Sequence, residues 1–396
     1  MFHGAEMKSE VTFSEYPLIV VGSGFYGLTV AEHFARIFQR KVLVIEKRNH
    51  IGGNAWSEVD AETGIEIHKY GTHIFHTESE KIWQYVNRFS EFTPYEHRVW
   101  TRHGSSFFQM PVNLSTMSSF FNLPLDPDSA KEFINSKAKE TANDSNDSFE
   151  TRAINKIGSD LYGAFFRGYT LKQWQVDPSK LPGEVFSRLP IRFNFDGRYF
   201  SDKYQGLPKN GYHDLFNNMV QNNLIDIILD TDFHTIEFTP GPDQILVYTG
   251  PIDKYFSFKH GILGWRTLDF SIETLDKNDF QGTSVINYPD LDVDYTRIHE
   301  FKHLHPERNY VEGKTIVARE YSRVAGKTDE PYYPTNLEED RAVLSLYRED
   351  MEKEKNVIFG GRLGTYKYLD MHMAIGSAIS QFENHIQPFF EKNIND

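Results

Sequence analysis

Cysteine is absent from the 396 residues. That excludes a disulfide framework, thiol catalysis, a Cys-ligated zinc and an iron–sulfur cluster together. A reducing compartment is the simplest setting, and a cytoplasmic location is expected. Long hydrophobic runs are missing too: no stretch reaches the roughly 18 uninterrupted apolar residues of a membrane span. Residues 1–16 lack the apolar h-region of a signal peptide and read as a short polar leader. Basic residues are in deficit, 42 against 56 acidic, a formal net charge of −14. Nucleic acid is therefore not an expected partner, because sequence-independent binding to it rests on phosphate neutralisation. A small anion can still bind where a few arginines gather.

Aromatics are plentiful, at 32 Phe, 21 Tyr and 5 Trp, and their flat faces make a planar ligand worth seeking. The length suits two to three structural units and a full hydrophobic core. Leu18-Ile19-Val20-Val21 reads as a strand buried on both faces. Gly22-Ser23-Gly24-Phe25-Tyr26-Gly27 follows, then a helical pattern over residues 28–38. A second buried strand, Val42-Leu43-Val44-Ile45, ends in Glu46, which completes a βαβ unit. One helix is predicted over 81–89 and extended chain over 99–110. Helical spacing recurs over 114–180, punctuated by Asp126-Pro127-Asp128 and the polar loop 143–147. Strand-like runs resume at 191–195, 225–228 and 245–248, with alternating strands between 283 and 321. His303-Leu304-His305 reads as a strand face. A charged helix over 338–354, a strand at 357–359, Gly360-Gly361-Arg362 and a helix from about Met371 close the chain.

A Gly-x-Gly-x-x-Gly pattern alone is weak, but here it lies between strand and helix, with Glu46 19 residues beyond Gly27. Gly22 permits the tight turn, Gly24 lets a pyrophosphate approach, and Gly27 packs helix on strand. The helix N-terminus would hold the phosphates and Glu46 a ribose hydroxyl. NAD and FAD both remain open on this motif. Two features favour FAD: Ile51-Gly52-Gly53-Asn54 lies just beyond the acid, and the Gly360-Gly361-Arg362 turn returns to the same sheet. The final helix could then aim its positive N-terminus at the flavin pyrimidine.

Several longer stretches carry a resemblance. They are residues 22–27 and 45–54, His68-Lys69-Tyr70-Gly71-Thr72-His73-Ile74-Phe75-His76-Thr77 and Gly168-Tyr169-Thr170-Leu171-Lys172-Gln173-Trp174. Tyr199-Phe200-Ser201-Asp202, Tyr295-Thr296-Arg297-Ile298, Glu330-Pro331-Tyr332-Tyr333-Pro334 and Tyr366-Lys367-Tyr368-Leu369-Asp370-Met371 continue it. In order and over nearly the whole chain, they resemble UDP-galactopyranose mutase of the bacterial type. Thr72 departs from the pattern, standing where a small alanine is expected, and residues 1–16 are extra.

The resemblance implies an α/β fold: a FAD-binding Rossmann-like domain with a helical insert and an antiparallel β-sheet domain. The segments expected are 16–90, 207–262 and 350–396 for FAD, and 107–185 for the insert with a lid loop at 181–191. The sheet domain would use 91–106, 186–206 and 263–349. The implied activity is non-redox isomerisation of UDP-galactopyranose to UDP-galactofuranose, the donor for cell-surface glycans. Reduced FAD would attack the anomeric carbon through N5, with UDP as leaving group, and a homodimer is expected by likeness.

The cofactor contacts expected are Gly22, Gly24, Phe25, Tyr26, Gly27, Glu46, Lys47, Gly53, Asn54, His73, Ile74, Arg362, Asp370 and Met371. Tyr169, Thr170, Trp174 and Tyr199 match the family's nucleotide pocket, with Phe165 and Phe166 nearer to pure packing. Arg188 and Arg297 match its diphosphate arginines, Tyr333 and Tyr368 supply phosphate-contacting hydroxyls, and Arg362, His97 and Asn287 join the substrate contacts. His76 would tune the flavin or touch the sugar, and Asp370 would orient it; with Arg188 and Arg297 these are the expected catalytic residues. No metal is expected, since His68, His73 and His76 have poor ligand spacing. A redox flavoenzyme of the amine-oxidase type, or a non-catalytic nucleotide-sugar-binding flavoprotein, are the competing readings on fold alone.

Overall fold

The computed structural model describes residues 12–142, 147–187 and 189–395. Its nucleus is a parallel five-stranded sheet, in the order Ile225–Ile228, Val42–Ile45, Leu18–Val21, Ile245–Tyr248 and Val357–Phe359. The three central strands are aliphatic except for Tyr248 and almost wholly buried, as a sheet covered on both faces requires. Three stretches far apart in sequence thus share one sheet. The helix Phe25–Phe38 covers one face and packs against Met371–Gln381. Phe34, Phe382 and Phe390 fill that layer, which is where part of the aromatic content goes.

A second sheet has seven strands, ordered Tyr333–Pro334, Trp265–Leu275, Thr315–Val324, Arg297–Glu300, Val285–Asn287, Val99–His103 and Ser106–Met110. All neighbours run antiparallel except Val285–Asn287 beside Val99–His103. The helices Leu114–Phe121, Pro127–Thr141, Phe149–Leu161 and Gly168–Trp174 form a helical region with its own core. Asp126 caps the second of these through the amides of Asp128 and Ser129, so the Asp-Pro-Asp punctuation is a helix start. A three-stranded sheet, Phe75–Thr77, Tyr204–Pro208 and Phe92–Thr93, sets His76 opposite Gln205.

Three local expectations need correction. The first helix begins at Phe25, directly on the glycine turn, rather than at residue 28. Residues 191–195 form no strand, because the Arg192 amide and Asn194 carbonyl bond outward to Val112 and Leu114. His303 lies in the 3₁₀ turn Phe301–Leu304, which turns Phe301 and Leu304 into the core and leaves no strand face. The expected loop at 143–147 falls mostly on residues 143–146, outside the described residues.

Candidate active site

Three glycine turns meet at the carboxyl ends of the parallel strands. A Cβ on Gly22 would strike the Thr249 hydroxyl at 2.1 Å, and one on Gly27 would strike the Gly22 carbonyl at 2.1 Å. Gly22 also has φ +95°, so this turn tolerates no side chain there. A Cβ on Gly24 would meet no protein atom within 4 Å, so backbone is bared to open space. The Gly52-Gly53 turn closes on it: the Gly52 amide donates to the Ser23 carbonyl at 2.8 Å. Gly360 in turn lies so near Tyr26 that a Cβ would enter the ring. No side chain caps the helix that starts at Phe25, and its N-terminal dipole faces this turn.

Glu46 is buried at the end of its strand. Its carboxylate accepts from the Ser23 amide at 2.9 Å, the Ser23 hydroxyl at 2.6 Å and the Arg48 amide at 3.0 Å. A carboxylate has about four acceptor directions, so capacity remains for a ribose hydroxyl. Arg48 donates to Asn54 at 2.8 Å and to Glu330 at 2.9 Å, and lies 4.3 Å over the Tyr70 ring. Lys47 pairs with Glu330 at 2.6 Å. Phe25 and Tyr26 are core side chains, so any cofactor contact from them is through backbone.

The segment carrying His73 is pinned from beneath. Its amide donates to His68 Nδ1 at 3.1 Å, and its own Nδ1–H donates to the Gly71 carbonyl at 2.7 Å. Burial pushes the His68 imidazole down to about 3 and that of His73 down to about 4, so both stay neutral. His76 lies elsewhere: its Nδ1–H donates to Asp202 at 2.7 Å and its ring stacks on Phe200 with centroids 3.7 Å apart. Ligand atoms of His76, Asp370 and His372 lie within 4.8 Å of one another, a spacing that could hold a cation. The three histidines weighed as metal ligands therefore do not gather.

A second group of side chains stands on the seven-stranded sheet. The Arg297 guanidinium donates to the Tyr169 hydroxyl and pairs with Glu320 at 3.2 Å. Tyr333 and Tyr368 stack with centroids 5.8 Å apart, and Arg362 lies 5.6 and 5.1 Å over their rings. Arg362 is fixed by the carbonyls of Tyr332 at 3.0 Å and Leu369 at 2.6 Å. Tyr199 joins this electrostatic neighbourhood and meets His97 at 5.4 Å and Phe200 at 5.0 Å. Burial raises the hydroxyls of Tyr169, Tyr333 and Tyr368 above their usual range, so they stay protonated. Burial opposes the charge on Arg297, but Glu320 and the surrounding tyrosines outweigh it and keep the guanidinium cationic.

The helix Gly168–Trp174 is held against this group by its own sequence. A Cβ on Gly168 would strike the Pro289 carbonyl at 2.2 Å. The Lys172 ammonium shares its three N–H donors among the carbonyls of Tyr288, Asp290, Val293 and Tyr295 at 2.6–3.0 Å. Arg266, fully buried, donates to the Gln173 carbonyl at 3.0 Å. Thr170 is buried and Trp174 half-buried on this helix. Phe165 packs in the helical core against Phe108 and Phe120, and Phe166 against Phe186. Asn287 pairs in register with Arg297, and its Oδ1 is buried with no partner among the described residues. Ile74 is buried and Met371 half-buried. Arg188 lies outside the described residues.

A family profile for UDP-galactopyranose mutase matches residues 164–368, and one for an NAD(P)-binding Rossmann-like domain matches 20–89. The chain is 41% identical over 363 residues to a probable UDP-galactopyranose mutase of Klebsiella pneumoniae, covering 91% of this chain and 92% of that one. This chain belongs to the UDP-galactopyranose mutase family. It is also 39% identical to a dTDP-fucopyranose mutase of Escherichia coli, covering 91% of this chain and 96% of the relative. The crystal structure of a reduced UDP-galactopyranose mutase aligns with a TM-score of 0.71 at 13% identity, covering 94% and 96% of the two chains, which shows the shared fold.

Members of the UDP-galactopyranose mutase family are isomerases that use FAD, and the residues present fit that cofactor. Gly24 opens backbone where a pyrophosphate must approach, Glu46 keeps an acceptor direction, and the helix at Met371 starts without a side-chain cap. The sequence reading missed Arg48, His299 and Glu320 as parts of the site. Glu320 following the buried Ile316-Val317-Ala318 run of its strand was the available signal for one of them.

Proposed function

We propose that this chain interconverts UDP-galactopyranose and UDP-galactofuranose, supplying the furanose donor for cell-surface glycans. The observation that carries it is the convergence of Arg297, Arg362, Tyr169, Tyr333 and Tyr368 in one neighbourhood. Two cations and three protonated hydroxyls suit a diphosphate, a ligand for which an amine oxidase has no need. Trp174 would offer uracil a flat face beside Tyr169, and Arg188 is assigned as a further diphosphate cation by likeness alone. Residues 16–90, 207–262 and 350–396 are assigned to the FAD domain, 107–185 to the substrate insert with 181–191 as its lid, and 91–106, 186–206 and 263–349 to the sheet domain. A cytoplasmic homodimer is proposed by likeness to the family.

Reduced FAD, when bound, supplies an electron-rich N5 that can bond to the anomeric carbon. Arg297 and the tyrosine hydroxyls would bind the departing UDP more strongly as its negative charge grows, which lowers that barrier. The Asp202 carboxylate accepts from His76 Nδ1–H and so fixes the ring, whose other nitrogen would serve the flavin or sugar side. Asp370, at the start of the last long helix, would orient the sugar.

The test is anaerobic turnover of UDP-galactofuranose with and without reductant, followed by product separation. Turnover only in the reduced state, with no stoichiometric NAD(P)H consumed, is expected. Equal activity of the oxidised enzyme would refute the reading. The Escherichia coli relative gives a specific second reading, dTDP-fucopyranose, whose sugar lacks the 6-hydroxyl and whose base carries a methyl group. Both sugar nucleotides should be assayed in parallel, with UDP and dTDP competing for the site.

A further inference from the structure

Thr72 lies within the His68–Thr77 stretch, and its hydroxyl has a defined partner. It donates to His299 Nδ1 at 2.7 Å. The opposite ring nitrogen, Nε2–H, then donates to Glu320 Oε2 at 3.1 Å. This order of donors is forced, because an ionised carboxylate only accepts. Burial holds the His299 imidazole below its usual range, against the pull of Glu320, so the ring is neutral with one proton to place. Arg297 and His299 alternate on one strand and so share a face, and Glu320 lies directly opposite Arg297 in antiparallel register.

Glu320 is 3% exposed and its other oxygen accepts from the Thr296 hydroxyl at 3.1 Å. Its contact with Arg297 Nε is an ion pair at 3.2 Å without hydrogen-bond alignment, since that Nε is otherwise unsatisfied. The direction in which the guanidinium fork points therefore depends on how the carboxylate is turned. His299 holds the oxygen that Thr296 leaves free, and Thr72 holds the His299 ring in the tautomer that can do so. We infer that Thr72 and His299 are positioning residues for Arg297, acting through Glu320. This rests on reading Arg297 as a diphosphate contact. It links the His73 segment beside the proposed cofactor site to the cation that receives the leaving group.

The experiment is a double-mutant cycle on the FAD-loaded enzyme, with UDP affinity and kcat/KM as readouts. Thr72→Val should weaken UDP binding and lower kcat/KM by about tenfold, and Thr72→Ser should stay within about twofold of wild type. In a Glu320→Gln background, Thr72→Val should add no more than about twofold, because the relay is already broken. If Thr72→Val fails to take up FAD, Thr72→Ala replaces it in the same cycle. Wild-type behaviour of the hydroxyl-free variant, or an equal loss in both backgrounds, would overturn the relay. No UDP binding by wild type, or unchanged binding by Arg297→Ala, would instead overturn the reading of the site and this inference with it.

Discussion

Arg297 is the residue on which the proposed chemistry leans most. Its guanidinium is held between Glu320 and the Tyr169 hydroxyl, so little reorganisation is needed when UDP departs. Arg297→Ala should cut kcat by 10²–10³-fold, about 3–4 kcal/mol, while FAD remains bound. Steady-state turnover alongside the flavin absorbance spectrum measures both, and a variant within a few-fold of wild type would refute the assignment. Arg297 itself was legible in the sequence only through the Tyr-Thr-Arg-Ile stretch, since a lone arginine is ordinarily a surface charge. Glu320, His299 and Thr72 were not legible as a unit. Their pairing depends on the register of strands more than 15 residues apart and on a loop more than 200 residues away. Single-residue chemistry carries no trace of that register. Glu46 was legible as the buried acid closing the second strand beside the glycine turn, because that placement follows from local spacing.

Among the elements, the turn between the first strand and helix separates folding from binding at neighbouring glycines. Gly27 is closed by the Gly22 carbonyl, so Gly27→Val must push the helix off its strand and lower stability. Gly24 faces no protein atom within 4 Å, so Gly24→Val should leave the fold nearly unchanged yet lose FAD. Thermal unfolding of the apoproteins and flavin content after purification distinguish the two. Equal destabilisation by both would show that the Gly24 space is not a cofactor approach. The helix Gly168–Trp174 makes a different demand. Lys172→Met keeps the stem but leaves four carbonyls without their donor, a loss of about 2–4 kcal/mol. Because Tyr169 and Trp174 ride on this helix, UDP affinity should fall with stability, and urea unfolding paired with UDP titration would show whether the two move together. Helix existence was readable over 114–180 from period and punctuation. The 191–195 and 303–305 expectations failed because outward backbone bonds and core-facing Phe301 and Leu304, both tertiary, override the local alternating pattern.

The molecule as a whole distributes its histidines over strands, helices and loops, many of them shielded from water. Burial lowers seven of these imidazoles: His50, His68, His73, His97, His234, His299 and His372. Only His303 among the described residues moves upward, because Glu300 and Asp279 outweigh its burial. A histidine lowered in the folded state stays neutral there while the unfolded chain takes up its proton below about pH 6.5. The unfolded state then binds more protons, so stability must fall as pH drops from there toward the folded values. His73 is lowered to about 4 and His97 to about 3, so their window runs from about 6.5 down past 4.5. The paired carboxylates cannot cause this loss. Glu32, lowered to about 2, and Glu320 keep their full contribution above about pH 4.5 and lose it only below that. His303 works in the opposite direction, since its contribution is complete below the unfolded pKa and vanishes as pH rises through the folded one. One imidazole cannot cancel seven. Each histidine kept neutral contributes about 1.4 kcal/mol per pH unit within its window. Urea unfolding between pH 7.5 and 5 should therefore show stability falling with acidity, most steeply below about pH 6.5. A profile that is flat or rises toward pH 5 would mean that these rings are protonated in the native protein. The neutral donor–acceptor roles of His73 and His299 would then have to be abandoned.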